Sequence, residues 1–194
     1  MKSLIRRTFS LLLISLLSLS LLTACGSEPV AESEGEPSAP QEDASFEPLH
    51  MEIFEDYELT LVNVFATWCS PCIREIPELQ ALSESYQDKK VQVIGVVIDA
   101  LDRSSMQDTV GTLNQEALNQ AALIAQKTGA SYPFYVPNFE LFEGRLLNVA
   151  AVPETFFVDQ NGQVVGDTYP GARDEASWSA IVDSILEELP QEAA

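Results

Sequence analysis

Apolar residues divide the chain into three unequal parts. A nearly unbroken apolar run from Phe9 to Leu22 comes first, Gly26 to Ser45 follows with no aromatic or basic residue, and a periodic pattern fills the rest. In that third part, Leu59-Thr60-Leu61-Val62-Asn63-Val64-Phe65-Ala66 is continuous and rich in β-branched residues, which predicts a strand buried on both faces. After Cys72 the apolar positions are Ile73, Ile76, Leu79, Leu82 and Tyr86, a helical period. Val91 to Ile98 is a second buried strand, ending at Asp99, which reads as a surface turn residue. A helix is predicted from about Thr109 to Lys127, closed by Gly129 as its C-cap. Tyr132 to Val136 is a short strand bounded by Pro133 and Pro137. Thr155–Val158 and Gln163–Gly166 flank Asp159-Gln160-Asn161-Gly162, and Asn-Gly is a strong hairpin signal. The last element is a helix with Trp178, Ile181, Val182, Ile185 and Leu189 on one stripe. Strand, helix, strand, helix, strand, hairpin, helix predicts an α/β fold: a central mixed β-sheet with helices on both faces.

The first two parts place that domain. Lys2, Arg6 and Arg7 precede an apolar run of about fourteen residues, too short for a spanning helix of about 20. Residues 1–24 therefore read as a signal peptide. Its ending, Leu22-Thr23-Ala24-Cys25, resembles a bacterial lipobox, in which the cysteine is lipidated and becomes the first residue of the mature chain. That resemblance implies a diacylglyceryl group on Cys25 and anchoring to the extracytoplasmic face of the cell membrane. A plain secretory signal or an uncleaved anchor is the alternative. Residues 25–45 are a linker rich in Glu, Pro, Ser and Ala, unable to bury enough apolar surface to fold. As a flexible coil it would reach roughly 25 Å. Residues 46–194 form the folded domain.

Charge narrows the partners. The net charge is −20; losing three of ten basic residues with the leader leaves seven against 30 acidic ones, a net −23. Nucleic-acid binding is disfavoured for want of a basic patch. Attachment to a membrane would rest on acyl chains and not on a basic face. Of three cysteines, one is accounted for if Cys25 is acylated, which leaves one Cys-x-x-Cys pair. A pair so close in sequence closes too small a loop to stabilise a fold much, so its role is chemical.

The chemistry is concentrated in Val62-Asn63-Val64-Phe65-Ala66-Thr67-Trp68-Cys69-Ser70-Pro71-Cys72-Ile73-Arg74-Glu75-Ile76-Pro77. A strand delivers Cys69 to the first turn of a helix, where free N–H groups and the helix dipole stabilise a thiolate. Cys72 sits one turn later, within reach of a mixed disulfide on Cys69. Pro71 is tolerated in the first turn, and a kink is expected at Pro77. Structural zinc would need a second pair of ligands, but this domain has no further Cys and only His50. No nucleotide or haem motif is evident, the lack of Cys-x-x-Cys-His argues against covalent haem, and no cofactor or metal is expected.

This stretch resembles the active site of the thioredoxin superfamily, specifically its exported TlpA-like and ResA-like thiol–disulfide oxidoreductases, with the cytochrome c maturation thioredoxins as near relatives. Three features carry the resemblance: Trp68-Cys69-Ser70-Pro71-Cys72, the proline five residues beyond, and Val152-Pro153-Glu154-Thr155-Phe156, which is similar to the family's cis-proline loop. The likeness runs from about Leu59 to Leu189 and implies a thioredoxin-like fold. It further implies that Cys69 attacks, Cys72 resolves, and Cys69 and Cys72 form the redox disulfide. Pro153 would be cis beside the pair, and the Val152 backbone would hydrogen-bond a substrate segment. Trp68, Ser70, Pro71 and Glu154 would complete the substrate-binding face. Asn63 stands where cytosolic thioredoxins carry a buried Asp, so the proton-handling role passes to Glu75, one helical turn beyond Cys72. A nearby carboxylate opposes a second negative charge and raises a thiol pKa, which favours a selective reductant over a strong oxidant.

The implied activity is reduction of disulfides in exported proteins, with apocytochrome c or a methionine sulfoxide reductase as substrate and a CcdA- or DsbD-like membrane protein as electron donor. A disulfide-forming oxidase or isomerase is the alternative in chemistry; a redox-inactive binding lipoprotein on the same scaffold is the alternative in class. A peroxidase is disfavoured because Ala66 stands where peroxiredoxin-like sites carry Thr. The segment from Ala100 to Thr128 exceeds what a minimal thioredoxin needs and is either a recognition insert or extra scaffold.

Overall fold

The structure, a computed structural model, describes residues 46–102 and 112–189. The leader, Cys25 and the 25–45 linker lie outside these residues. β1 (Leu59–Phe65) is buried at every position, as expected of a continuous apolar run, and it forms the centre of a five-stranded sheet. β2 (Val91–Val97) pairs with β1 in parallel, and β5 (Phe134–Tyr135) pairs in parallel with β2. On the other side β6 (Glu154–Asp159) runs antiparallel to β1, and β7 (Val164–Pro170) antiparallel to β6. The order is β5-β2-β1-β6-β7. A separate two-residue ladder joins β3 (Leu101–Asp102) to β4 (Thr112–Leu113).

Side-chain alternation along β1 assigns the two faces. Asn63 and its β6 neighbour Thr155 face α1 (Ser70–Ser85) and α3 (Glu175–Glu188). On that face Trp178 of α3 lies fully buried with its ring 6.3 Å from Phe157. Val62 and Phe156 face the other way, onto a 3₁₀ turn, Met51–Phe54, and a kinked segment of 3₁₀ turns, Leu141–Asn148, whose backbone is left-handed at Phe142, Glu143 and Gly144. There Phe156, Phe142 and Phe54 form an edge-to-face chain at 5.2 and 5.7 Å. Helices cover both faces, but the second face uses 3₁₀ turns. Neither is predicted from sequence: Met51–Phe54 is too short for a helical period, and Leu141–Asn148 is interrupted by left-handed residues that break one.

α2 (Gln115–Thr128) starts later than its periodicity suggests. The Asn114 side-chain oxygen accepts from the Ala117 N–H at 3.2 Å and so caps the helix, while Thr112 and Leu113 are held as β4. Gly129 closes it at φ 74°, a left-handed conformation in which a Cβ is disfavoured. Ala117, Leu118, Ala121 and Ile124 are buried, so the helical part of the Ala100–Thr128 segment is scaffold and carries the chain to the added edge strand β5. Residues 103–111 lie outside the described residues. Close approach governs position 95: a Cβ there would meet Phe134 Cδ1 at 2.7 Å and Phe65 Cε1 at 3.0 Å. α1 continues through Pro77 as one helix.

Candidate active site

β1 ends at Phe65, and a tight turn brings Cys69 to the N-cap of α1. Asp99 organises that turn. Its carboxylate accepts from the Thr67 N–H at 3.1 Å and from the Thr67 hydroxyl at 2.6 Å. The residue read as a surface turn is therefore a clamp behind the active-site loop, formed because the parallel β1 and β2 end side by side.

Cys69 and Cys72 form a disulfide with Cα atoms 5.3 Å apart. Cys69 Sγ accepts from the Cys72 N–H at 3.2 Å, so the helix N-terminus already donates to the sulfur that would become the thiolate. Cys72 is fully buried and Cys69 is 4% exposed, whereas Trp68 beside them is 73% exposed. Ser70 opens α1 and Pro71 lies within its first turn, as the missing N–H requires. The Val152–Pro153 peptide bond is cis, and the Val152 carbonyl oxygen lies 3.6 Å from Cys69 Sγ. An open groove of about 560 Å³ leads from Trp68 past Leu101 to Leu113.

Behind Cys72, on the same face of α1, Glu75 is 2% exposed. Its Oε1 accepts from the Arg173 backbone N–H at 2.8 Å and from Trp178 Nε1 at 3.1 Å. Its Oε2 accepts from Asn63 Nδ2 at 3.2 Å, while Asn63 also donates to Thr155 Oγ1 at 2.9 Å. Burial raises the Glu75 carboxyl above its ordinary value, and the donors from Arg173, Trp178 and Asn63 only partly oppose that rise. The carboxyl is thus poised to take a proton more readily than a solvated glutamate. Tyr132, whose buried hydroxyl has no hydrogen-bond partner among the described residues, is likewise pushed up by burial and by Glu75.

Glu154, at the start of β6, is engaged within the fold. Arg145 Nη2 donates to its Oε1 at 3.1 Å and to Thr168 Oγ1 at 2.7 Å, with the guanidinium carbon 4.5 Å from the Phe156 ring centroid. The fold thus brings Trp68, Cys69, Ser70, Pro71, Cys72, Val152 and Pro153 together beyond the C-terminal end of β1, with Glu75 beneath. Sequence patterning gives no sign of Arg145, Arg173 or the polar role of Trp178. Trp178 reads as one more apolar residue of a helical stripe, because nothing local distinguishes an indole that donates from one that only packs.

Comparison with known proteins agrees with this geometry. Residues 36–166 match the AhpC/TSA family. The chain is 33% identical over 135 residues to a thiol:disulfide interchange protein DsbE of Pseudomonas fluorescens biotype C, covering 69% of this chain and 63% of that one. It is 27% identical over 106 residues to thiol-disulfide oxidoreductase ResA of Geobacillus thermodenitrificans, covering 53% and 49%. The matched stretch therefore spans about half to under two thirds of these relatives' length. A thiol-disulfide isomerase from Corynebacterium glutamicum shares the fold, with TM-score 0.53 and 20% identity over 77% of this chain and 93% of that one. With more than half of its length matched and a thioredoxin-like sheet carrying the Cys pair at a helix N-terminus, the chain belongs to the AhpC/TSA family.

Proposed function

We propose that this protein is a membrane-anchored, extracytoplasmic thiol–disulfide oxidoreductase that reduces disulfides in exported proteins. The observation that carries the reading is a buried carboxyl, Glu75, one helical turn beneath a Cys pair whose first sulfur already accepts a helix N-terminal N–H. In the reduced enzyme the Cys69 thiolate attacks one sulfur of the substrate disulfide, forming a mixed disulfide and expelling the other substrate sulfur as a thiolate. Cys72 gives its proton to the Glu75 carboxylate and attacks Cys69 Sγ. The second substrate thiolate leaves, the Cys69–Cys72 disulfide forms, and two electrons have passed to the substrate. Glu75 then returns its proton as the departing thiolate is protonated. The Val152 carbonyl, 3.6 Å from Cys69 Sγ, suits pairing with an extended substrate segment.

Such a reductant in oxidising space needs recharging, and a CcdA- or DsbD-like membrane protein is the donor class that fits. The relatives named for thiol–disulfide oxidoreduction and interchange support the chemistry. The substrate class is an exported protein with an accessible disulfide, either the haem-binding Cys pair of an apocytochrome c or a methionine sulfoxide reductase. Diacylglyceryl on Cys25, with 25–45 as tether, would hold the domain at the membrane. In cells, Cys72→Ser should accumulate a mixed disulfide between Cys69 and its substrate, and Cys25→Ser should move the protein from membrane to soluble fraction. No trapped species from Cys72→Ser under conditions where Cys69 is alkylatable would overturn the reductase reading.

A further inference from the structure

Of the three donors to Glu75, one comes from the corner where β7 passes into α3 and one from the first turn of α3 itself. Arg173 supplies its backbone N–H and Trp178 its indole N–H, and both reach the same oxygen, Oε1. They lie 98 and 103 residues from Glu75 in sequence. Trp178 is fully buried and wedged by Phe157 and Tyr169, so its N–H has little freedom to turn elsewhere. The Arg173 guanidinium caps the outer face of the same indole, 5.1 Å from it, and is tied to the Pro170 and Gly171 carbonyls at 3.1 and 2.9 Å. We propose that Trp178 is a positioning residue for the thiol chemistry: its indole N–H fixes Glu75 Oε1 and thereby sets how readily Glu75 exchanges a proton with Cys72. The inference rests on the proton-handling role given to Glu75 above, and adds that α3, which carries no cysteine, adjusts that role.

A hydrogen bond to an ionised group favours the ionised form, and in a site closed to water its loss is not made good by solvent. Glu75 Oε2 keeps Asn63 whatever happens at position 178, so removal of the indole N–H weakens the hold on one oxygen without freeing the carboxylate. The charged and titratable groups facing Glu75 are Arg173 at the β7–α3 corner and Tyr132 before β5; Cys72, one helical turn back on α1, is held in the disulfide in the oxidised protein. Of these, Arg173 is the cation and favours the carboxylate.

The test replaces Trp178 in the full chain by β-(3-benzothienyl)alanine, which keeps the bicyclic shape and has sulfur in place of N–H. The Glu75 side-chain carboxyl carbon is followed by NMR against pH in the oxidised protein, with Glu75→Gln used to assign it. Val182→Ala, a buried truncation on the same helix, serves as the packing control. The expected result is a midpoint raised by about one pH unit in the benzothienyl protein and unmoved in Val182→Ala. A midpoint unmoved in the benzothienyl protein, or raised equally by Val182→Ala, overturns the proposal. The titration needs no turnover, so it stands or falls apart from the reductase reading, which fails if the wild-type protein reduces no disulfide.

Discussion

Glu75 shows how one residue can be legible in part. Its place three residues after Cys72 puts both on one face of a helix, and that much follows from the 3.6-residue period. Its burial and its partners do not, because Asn63, Arg173 and Trp178 meet it only after the sheet and α3 have assembled. The consequence for stability has a definite sign. With the folded carboxyl raised above 4.5, the native state holds a proton in a range where the unfolded chain has lost it. The contribution from Glu75 is therefore fully present below 4.5 and is lost as pH rises through the raised folded value. Urea unfolding at a series of pH values above 4.5 should show wild-type stability falling more steeply than that of Glu75→Gln; parallel profiles would contradict the assignment.

At the scale of elements, the long strands and helices were readable because their hydrophobic periods are complete, as in β1, β2 and the α3 stripe. The 3₁₀ turns, the β3–β4 ladder and the true start of α2 at Asn114 depend on contacts across the fold. Asp99 belongs to this group: it lies at the end of β2 but acts on Thr67 after β1. Asp99→Ala leaves the Thr67 N–H and hydroxyl without their acceptor, and should lower stability by about 1–2 kcal/mol in urea unfolding. A change under about 0.5 kcal/mol would mean the clamp is replaced by water. Gly95→Ala tests the sheet itself, since the new methyl meets Phe134 and Phe65. It should destabilise by about 1–3 kcal/mol through overpacking, and Phe134→Leu in the same chain should recover part of that loss. Independent, additive effects of the two substitutions would show that the contact does not limit packing there.

For the whole molecule, fold and chemistry converge at the C-terminal end of the central strand β1. The strand that delivers Cys69 is central and buried, the cis Val152–Pro153 bond arrives from the other half of the chain, and Glu75 is held from below by α3. The Cys pair was legible as a short motif with local spacing, and the proline loop through the resemblance of Val152-Pro153-Glu154-Thr155-Phe156 to the family's loop. The Arg145–Glu154 pair was not, because an arginine nine residues from a glutamate has no regular spacing that marks it. A buried carboxyl beside the pair and a strongly acidic chain agree with a reductant, and the direction of electron flow separates a reductant from a disulfide donor. The decisive measurement is the reduction potential of the Cys69–Cys72 pair in the full chain, equilibrated against glutathione and dithiothreitol buffers. A reductant should give a value near or below that of thioredoxin, about −270 mV. A value near −120 mV, as in strong oxidants, would contradict that role and make the protein a donor of disulfides.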